Sequence, residues 1–251
     1  MHGSGKMTFH NGDVYEGNWK KGKMHGKGRT ISTNGEICEG IWLHGIQVSK
    51  DIVKSQQQKP EKKDVRTVNE NGDIYEGGLK EDQMHGSGKM IFHNGDFYEG
   101  NWKNGKMHGK GKLVSANGDI FQCDWLHGIM DGVGKAIYVN GDVYEGAWAR
   151  NERNGMGEMT FANGDFYEGN WKNNMIHGNG KMIYANGDIY EGHWSKGKQQ
   201  KQGKMTFQNG DVYEGSWKEG KQDGKGKMIY AYGRIVEGRW MFGEMTSFIE
   251  K

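Results

Sequence analysis

The sequence predicts an all-β protein, an elongated and twisted single-layer antiparallel meander of about ten 23-residue hairpin repeats. Three observations predict it. An aromatic residue, Glu, Gly, any residue and Trp recur as a ten-fold unit from Tyr15 to Val236, with few departures from the pattern. All nine tryptophans (Trp19, Trp42, Trp102, Trp125, Trp148, Trp171, Trp194, Trp217 and Trp240) occupy one phase of that unit, and the unit without one carries Leu79 in the slot. Asn-Gly precedes the first position in nine units, from Asn11-Gly12 to Asn209-Gly210, with apolar and polar residues alternating on both sides. Period two around a turn dipeptide is the strongest short-range hairpin signal.

In the first unit, Gly5, Met7 and Phe9 alternate with Lys6, Thr8 and His10 on the outgoing strand. Asp13, Tyr15, Gly17 and Trp19 alternate with Val14, Glu16, Asn18 and Lys20 on the return. A two-residue loop at Asn11-Gly12 would pair Phe9 with Val14 and mix the faces. A three-residue loop, Asn11-Gly12-Asp13, pairs Phe9 with Tyr15, Met7 with Gly17 and Gly5 with Trp19, and so segregates them, because a one-residue slip sends every side chain to the other face. One face then carries Met, aromatics and Gly; the other carries Lys, Thr, Glu and Asn. About twenty such strands at ~4.8 Å spacing span on the order of 90 Å. The sheet is expected to curl into a half-pipe with the aromatics inside, since sheets twist and the glycines admit close approach. A single layer leaves part of that face to be covered by curling, self-association or a partner.

The period breaks once, between the units at Cys38 and Tyr75. The excess lies between Gln47 and Lys63, a Lys/Gln-rich stretch with the chain's one proline, Pro60. It reads as a solvated loop or linker with a short helix over Asp51 to Gln58, serving either as a tolerated insertion or as a lid or docking segment over the groove. The organisation is then N-terminal repeats over 1–46, an insertion over 47–66, a main array of eight repeats over 67–245 and a tail over 246–251. Met1 to Gly5 match Met24 to Gly28, so the sequence starts in mid-unit, as a piece of a longer array or as an incomplete cap. Ser32, Asn69 and Ser115 replace the aromatic of Phe9 near the insertion, leaving the best-formed stripe from Tyr144 to Trp217.

Composition closes other routes. With 44 glycines and 33% hydrophobic residues the chain is poor material for one globular core. No apolar run approaches the 18 or so residues of a membrane-spanning helix. A net charge of +2, with lysines spaced by the repeat, gives no reason to expect nucleic acid. Cys38 and Cys123 stand in Tyr and Gly slots three units apart, roughly 30 Å on this geometry, which excludes a bridge and points to a reducing, cytoplasmic compartment.

The run Tyr-Glu-Gly-x-Trp-x-x-Gly-x-x-His-Gly-x-Gly, as in Tyr98 to Gly111, resembles the MORN (membrane occupation and recognition nexus) repeat over nearly the whole chain. The resemblance implies an elongated β-sheet. It also implies scaffolding, peptide or partner binding in the groove, self-association, and association with membranes or the cytoskeleton. No segment resembles the catalytic domains that accompany these repeats in other members, the residues after Met241 being too few to be one, so the expectation is a non-enzymatic protein without cofactors.

Three residue constellations are weighed for chemistry. His2, His25, His85, His108 and His177 recur at one turn, but successive units stand about 10 Å apart, too far for a common metal, so they read as turn residues. The Glu ladder (Glu16, Glu39, Glu76, Glu99, Glu145, Glu168, Glu191, Glu214 and Glu237) lies opposite a basic ladder and reads as cross-strand ion pairs rather than an acid/base pair. The aromatic stripe is mostly structural and partly an anchor surface, since Trp and Tyr dominate binding hot spots. The expected groove consists of Tyr98, Trp102, Tyr144, Trp148, Phe161, Tyr167, Trp171, Tyr184, Tyr190, Trp194, Phe207, Tyr213 and Trp217. It would take a peptide, a partner protein or a second copy. The alternative is a peripheral module in which Lys89, Lys112, Lys135, Lys181, Lys204 and Lys227 meet an anionic phospholipid surface.

Overall fold

The computed structural model of the chain describes residues 2–33, 37–51 and 65–248. Every regular element among them is a β-strand, and the chain forms two compact units, Met1–Phe121 and Gln122–Lys251. The first unit holds a five-stranded meander of β1 (Gly3–Thr8), β2 (Val14–Lys20), β3 (Lys23–Ile31), β4 (Ile37–Leu43) and β5 (Ile46–Asp51). It also holds β6 (Val65–Val68), β7 (Ile74–Lys80), β8 (Gln83–Ile91), β9 (Phe97–Lys103) and β10 (Lys106–Val114), paired in chain order. β11 (Ile120–Leu126) crosses the boundary. The second unit runs through β12 (Ile129–Ile137), β13 (Val143–Ala149), β14 (Glu152–Thr160), β15 (Phe166–Lys172), β16 (Met175–Ile183) and β17 (Ile189–Ser195). It continues with β18 (Lys198–Thr206), β19 (Val212–Lys218), β20 (Lys221–Ile229), β21 (Ile235–Met241) and β22 (Glu244–Phe248), each antiparallel to the next. The antiparallel hairpin meander is as the periodicity predicts. Asp51 ends β5, and the rest of the helix expected over Asp51 to Gln58 lies outside the described residues.

Two turn types alternate. In the Asn-Gly turn, the Phe9 amide donates to the Asp13 carbonyl (2.8 Å) and the Gly12 amide to the Phe9 carbonyl (2.9 Å). Gly12 has φ of 86°, so the loop is a type I turn closed by a left-handed glycine, the three-residue hairpin with a bulge. The loop is therefore His10-Asn11-Gly12, which corrects the expected Asn11-Gly12-Asp13. Met7 stands opposite Tyr15, Gly5 opposite Gly17 and Gly3 opposite Trp19. The predicted length holds, but the pairing moves by two residues. That shift leaves the faces segregated as expected, and it places the glycine where φ must be positive. The second turn, Lys21-Gly22 in the first unit, is a two-residue connection with φ of 50° and 78°. Its counterparts include Arg150-Asn151 and Asn173-Asn174, where asparagine tolerates the left-handed region.

The rings of the inner face are buried locally. Tyr15 is fully buried because its ring lies across facing glycines: a Cβ on Gly17 would come within 2.5 Å of the Tyr15 hydroxyl oxygen. That hydroxyl donates to the Asn18 carbonyl (3.1 Å), and the Trp19 indole N–H donates to the Gly5 carbonyl (3.3 Å). Tyr15, Tyr144, Tyr167, Tyr190 and Tyr213 each meet the tryptophan of their own unit and that of the next edge-on, as Tyr144 meets Trp148 at 5.2 Å and Trp171 at 5.3 Å. Such T-shaped pairs add stabilisation of about 0.5–1.5 kcal/mol each beyond area burial. Part of the cover expected for this face comes from within the sheet: glycine removes the volume beneath each ring, and neighbouring rings seal the edges.

The aspartate after Asn-Gly ties unit to unit. Asp165 accepts the Ala185 amide on one oxygen (2.8 Å) and the Asn163 side-chain amide on the other (2.9 Å). Asp13, Asp73, Asp96, Asp142, Asp188 and Asp211 make the same bond to a main-chain amide twenty residues on. This latch satisfies an amide that has no strand partner at the turn.

In the first unit the outer face is also covered. Ile41 and Leu43 of β4 pack on Phe97, Val114, Ile91 and Ile120. Leu43, Phe97 and Val114 are buried, so two sheets meet back to back there.

Candidate binding surface

The thirteen groove residues predicted from sequence divide into two classes. Tyr98, Tyr144, Tyr167, Tyr190 and Tyr213 are completely buried, and Trp102, Trp148, Trp171, Trp194 and Trp217 nearly so. Burial pushes the Tyr144 and Tyr213 phenols up to about 12, while Tyr98, Tyr167 and Tyr190 are raised further still. All five hydroxyls therefore stay neutral donors at physiological pH. Phe161, Tyr184 and Phe207, the residues just before the Asn-Gly turns, remain half-buried. Tyr138 and Tyr230 continue that partly open row in the second unit.

Beside the row lies a slot that holds Met24, Met84, Met107 and Met245, opposite Trp19, Leu79, Trp102 and Trp240, and Gln47 opposite Trp42. Four consecutive repeats of the second unit place Arg153, Ile176, Gln199 and Gln222 there, opposite Trp148, Trp171, Trp194 and Trp217. The Arg153 guanidinium sits 4.6 Å from the Trp171 ring centroid and 5.7 Å from that of Tyr144. Its Nη2 donates to the Asn174 carbonyl (2.9 Å), while its buried Nε has no hydrogen-bond partner. Gln199, itself buried, donates to the Tyr184 hydroxyl (2.9 Å). Burial, followed by Asp165 and Asp188, pushes that phenol up to about 12. Sequence reasoning gave Arg153 and Gln199 no role; their signal is the interruption of the Met slot. The latch aspartates carry a visible signal too, their place after Asn-Gly, but nothing in one unit shows which amide they reach.

The outer face carries the Glu and Lys ladders as cross-strand neighbours. Lys89 reaches Glu99 at 3.4 Å, Lys135 Glu145 at 3.4 Å, Lys181 Glu191 at 3.2 Å and Lys204 Glu214 at 3.9 Å. Lys227 reaches Glu214 at 3.1 Å, and Lys112 faces Glu99 across the strands. The sequence reading of these residues as ion pairs is thus met in the structure. Where a basic residue is expected between Lys135 and Lys181 stands Glu158, opposite both Glu145 and Glu168.

Neither cysteine is bridged. Burial, with Asp124, pushes the Cys123 thiol up to about 12, far from a nucleophilic thiolate. His25 faces His44 at 5.7 Å, and burial, Lys20 and His44 lower its pKa. Among the described residues no group of three or more His, Cys, Asp or Glu is placed to hold a metal ion.

Solved structures similar to this chain include the Drosophila melanogaster SAS-4 (dCPAP) TCP domain in complex with a proline-rich motif of Ana2. It shares 12% identity over 76% of this chain and 100% of that one, with a TM-score of 0.40. The TCP10 domain of Danio rerio CPAP, in complex with a STIL peptide, shares 10% identity over 94% of each chain with a TM-score of 0.38. Likeness at this level carries no argument about function. No curated protein matches the chain. The MORN repeat model matches residues 1–14, 15–37, 75–97, 98–120, 124–143, 144–166, 167–189, 190–212 and 213–231. With its hairpin unit, glycine-seated tyrosines and in-phase tryptophans on the same residues, the chain belongs to the MORN repeat family.

Proposed function

We propose that the chain is a non-enzymatic interaction scaffold whose inner face, in the second unit, receives a peptide or an exposed segment of a partner protein. The observation that carries this reading is the partly open row Phe161, Tyr184 and Phe207, set beside Arg153 and Gln199 in slots that hold Met in four other repeats. Half-buried rings keep apolar surface for a ligand, whereas the sealed Tyr and Trp rings beneath hold the shape of the face. The Arg153 guanidinium, over the Trp171 ring, adds a charged donor group beside the half-buried rings. Differences among units in this slot supply selectivity.

The test compares proteins captured from the native cell by the wild-type chain and by Phe161→Ser/Phe207→Ser and Arg153→Met variants of intact fold, with mass spectrometry as the readout. A partner lost from both variants is expected; identical profiles would sink the reading. Sedimentation of the purified chain checks whether a second copy is the occupant. The basic ladder supports the phospholipid alternative less well, because its lysines stand among glutamates that cancel much of their charge. Salt-resistant flotation with anionic liposomes would reverse that preference.

A further inference from the structure

The outer face is not uniformly polar. Next to the Asn-Gly turns it carries aliphatic or aromatic residues and threonines, forming a continuous cross-strand row in the second unit: Ile137, Val143, Thr160, Phe166, Ile183 and Ile189. In the first unit the equivalent row, Ile91, Phe97 and Val114, is covered by β4, whose Ile41 and Leu43 occupy slots held by Asn18 and Lys20 in β2. Glu39, two residues earlier on the same face of β4, lines a cleft of about 350 Å³ with Arg66 and Lys89. The molecule therefore shows what covers this row: an extended strand bearing a charged residue and then two aliphatic residues at alternating positions, with the charged residue set over a neighbouring ladder of Arg66, Glu76 and Lys89.

In the second unit the row is open, with Ile137 40% and Ile183 36% exposed. Its flanking ladder also differs. Cross-strand neighbours there run Lys135, Glu145, Glu158, Glu168, Lys181, which puts three carboxylates side by side. Like charges directly opposite on a sheet are destabilising, and a cation placed over them relieves the repulsion. On the far side of those carboxylates, exposed Val133 and Met156 stand where other units have Ser4, Lys27 or Lys110.

We infer that this outer face of β12–β16 is a second docking surface, separate from the inner groove, for an extended partner segment with the pattern basic-x-aliphatic-x-aliphatic. It is the β4 arrangement with the charge reversed: the aliphatic pair seats on the row around Phe166 and Ile183, and the lysine or arginine lies over Glu158.

The test titrates the full chain with a labelled cyclic β-hairpin peptide presenting Lys-Thr-Ile-Thr-Leu on one strand, and with its Glu-Thr-Ile-Thr-Leu counterpart, by fluorescence anisotropy. Cyclisation removes the ordering cost of the strand. The lysine peptide is expected to saturate below about 1 mM and to bind about fivefold more tightly than the glutamate peptide. Glu158→Lys, an exposed change that restores the ladder, should abolish or reverse the preference. Ile183→Ser should weaken both peptides, and Phe161→Ser on the inner face should leave both unchanged. Absence of saturable binding, a preference that survives Glu158→Lys, or sensitivity to Phe161→Ser instead of Ile183→Ser would each overturn the inference. The last result would place the peptide in the inner groove.

Discussion

Replacing Gly180 by Ala tests whether tyrosine burial on facing glycines holds the sheet together. Gly180 faces Gly169 on one side and Gly192 on the other, and its backbone is one that alanine adopts without strain. The obstacle is steric: the new methyl would fall against the Tyr167 hydroxyl and within 2.5 Å of Cζ. Tyr167 cannot yield locally, since it is fully buried between Trp171 at 5.4 Å and Trp194 at 5.8 Å. Overpacking of this kind costs about 1–3 kcal/mol. Pushing the ring aside also breaks the hydroxyl bond to the Asn170 carbonyl (3.0 Å), worth about 1 kcal/mol more. A loss of roughly 2–4 kcal/mol is expected in urea denaturation followed by tryptophan fluorescence. Gly197→Ala is the control: φ of 77° strains it, but its Cβ would meet nothing, so only about 1 kcal/mol should go. Tyr167→Phe removes the atom nearest the new methyl, so the double variant should be about 1 kcal/mol more stable than the sum of the singles. Stability of Gly180→Ala within about 0.5 kcal/mol of wild type would refute the reasoning, and strict additivity would show that the methyl is accommodated elsewhere.

Three further outcomes follow. Asp165→Ala should cost about 1–2 kcal/mol and speed hydrogen exchange of the Ala185 amide ahead of its neighbours; uniform exchange would deny the latch. Asp73 has its carboxyl held below the ordinary range by the His93 amide, the Asn69 side chain and the His93 ring. A depressed folded pKa contributes stability that is present above the unfolded carboxylate value near 3.9 and lost as pH falls through the folded one, so Asp73→Asn should flatten acid unfolding of the first unit below about pH 4. Cys123 should resist iodoacetamide at neutral pH until the chain is denatured, whereas half-buried Cys38 reacts in the native state; equal rates would contradict the raised Cys123 thiol.

Much of this was legible in one unit of sequence. Period two around Asn-Gly fixed strands and faces, and the in-phase tryptophans fixed the repeat. The register escaped by two residues because parity alone selects the face, and several pairings share it. What separates them is the left-handed φ of Gly12 and the contact of Tyr15 with glycines on both strands, neither of which composition displays. Covering of the outer row by Ile41 and Leu43 escaped for a different reason. Those residues look like decay of the Asn and Lys slots until the sheet they pack against is known.

The departures from the repeat thus carry more of the functional signal than the repeat does. Conforming Tyr and Trp are buried in every unit, so mutating them tests folding before it tests binding. Arg153 and Gln199 change the inner face without disturbing the tyrosine seats, and Glu158 changes the outer face without disturbing the strands. Arg153 and Glu158 lie on one strand, β14, and point to opposite faces. If both faces take partners, Arg153→Met and Glu158→Lys should each remove one set of contacts and spare the other. Coupled losses from either single change, with the fold intact, would mean that one partner wraps both faces.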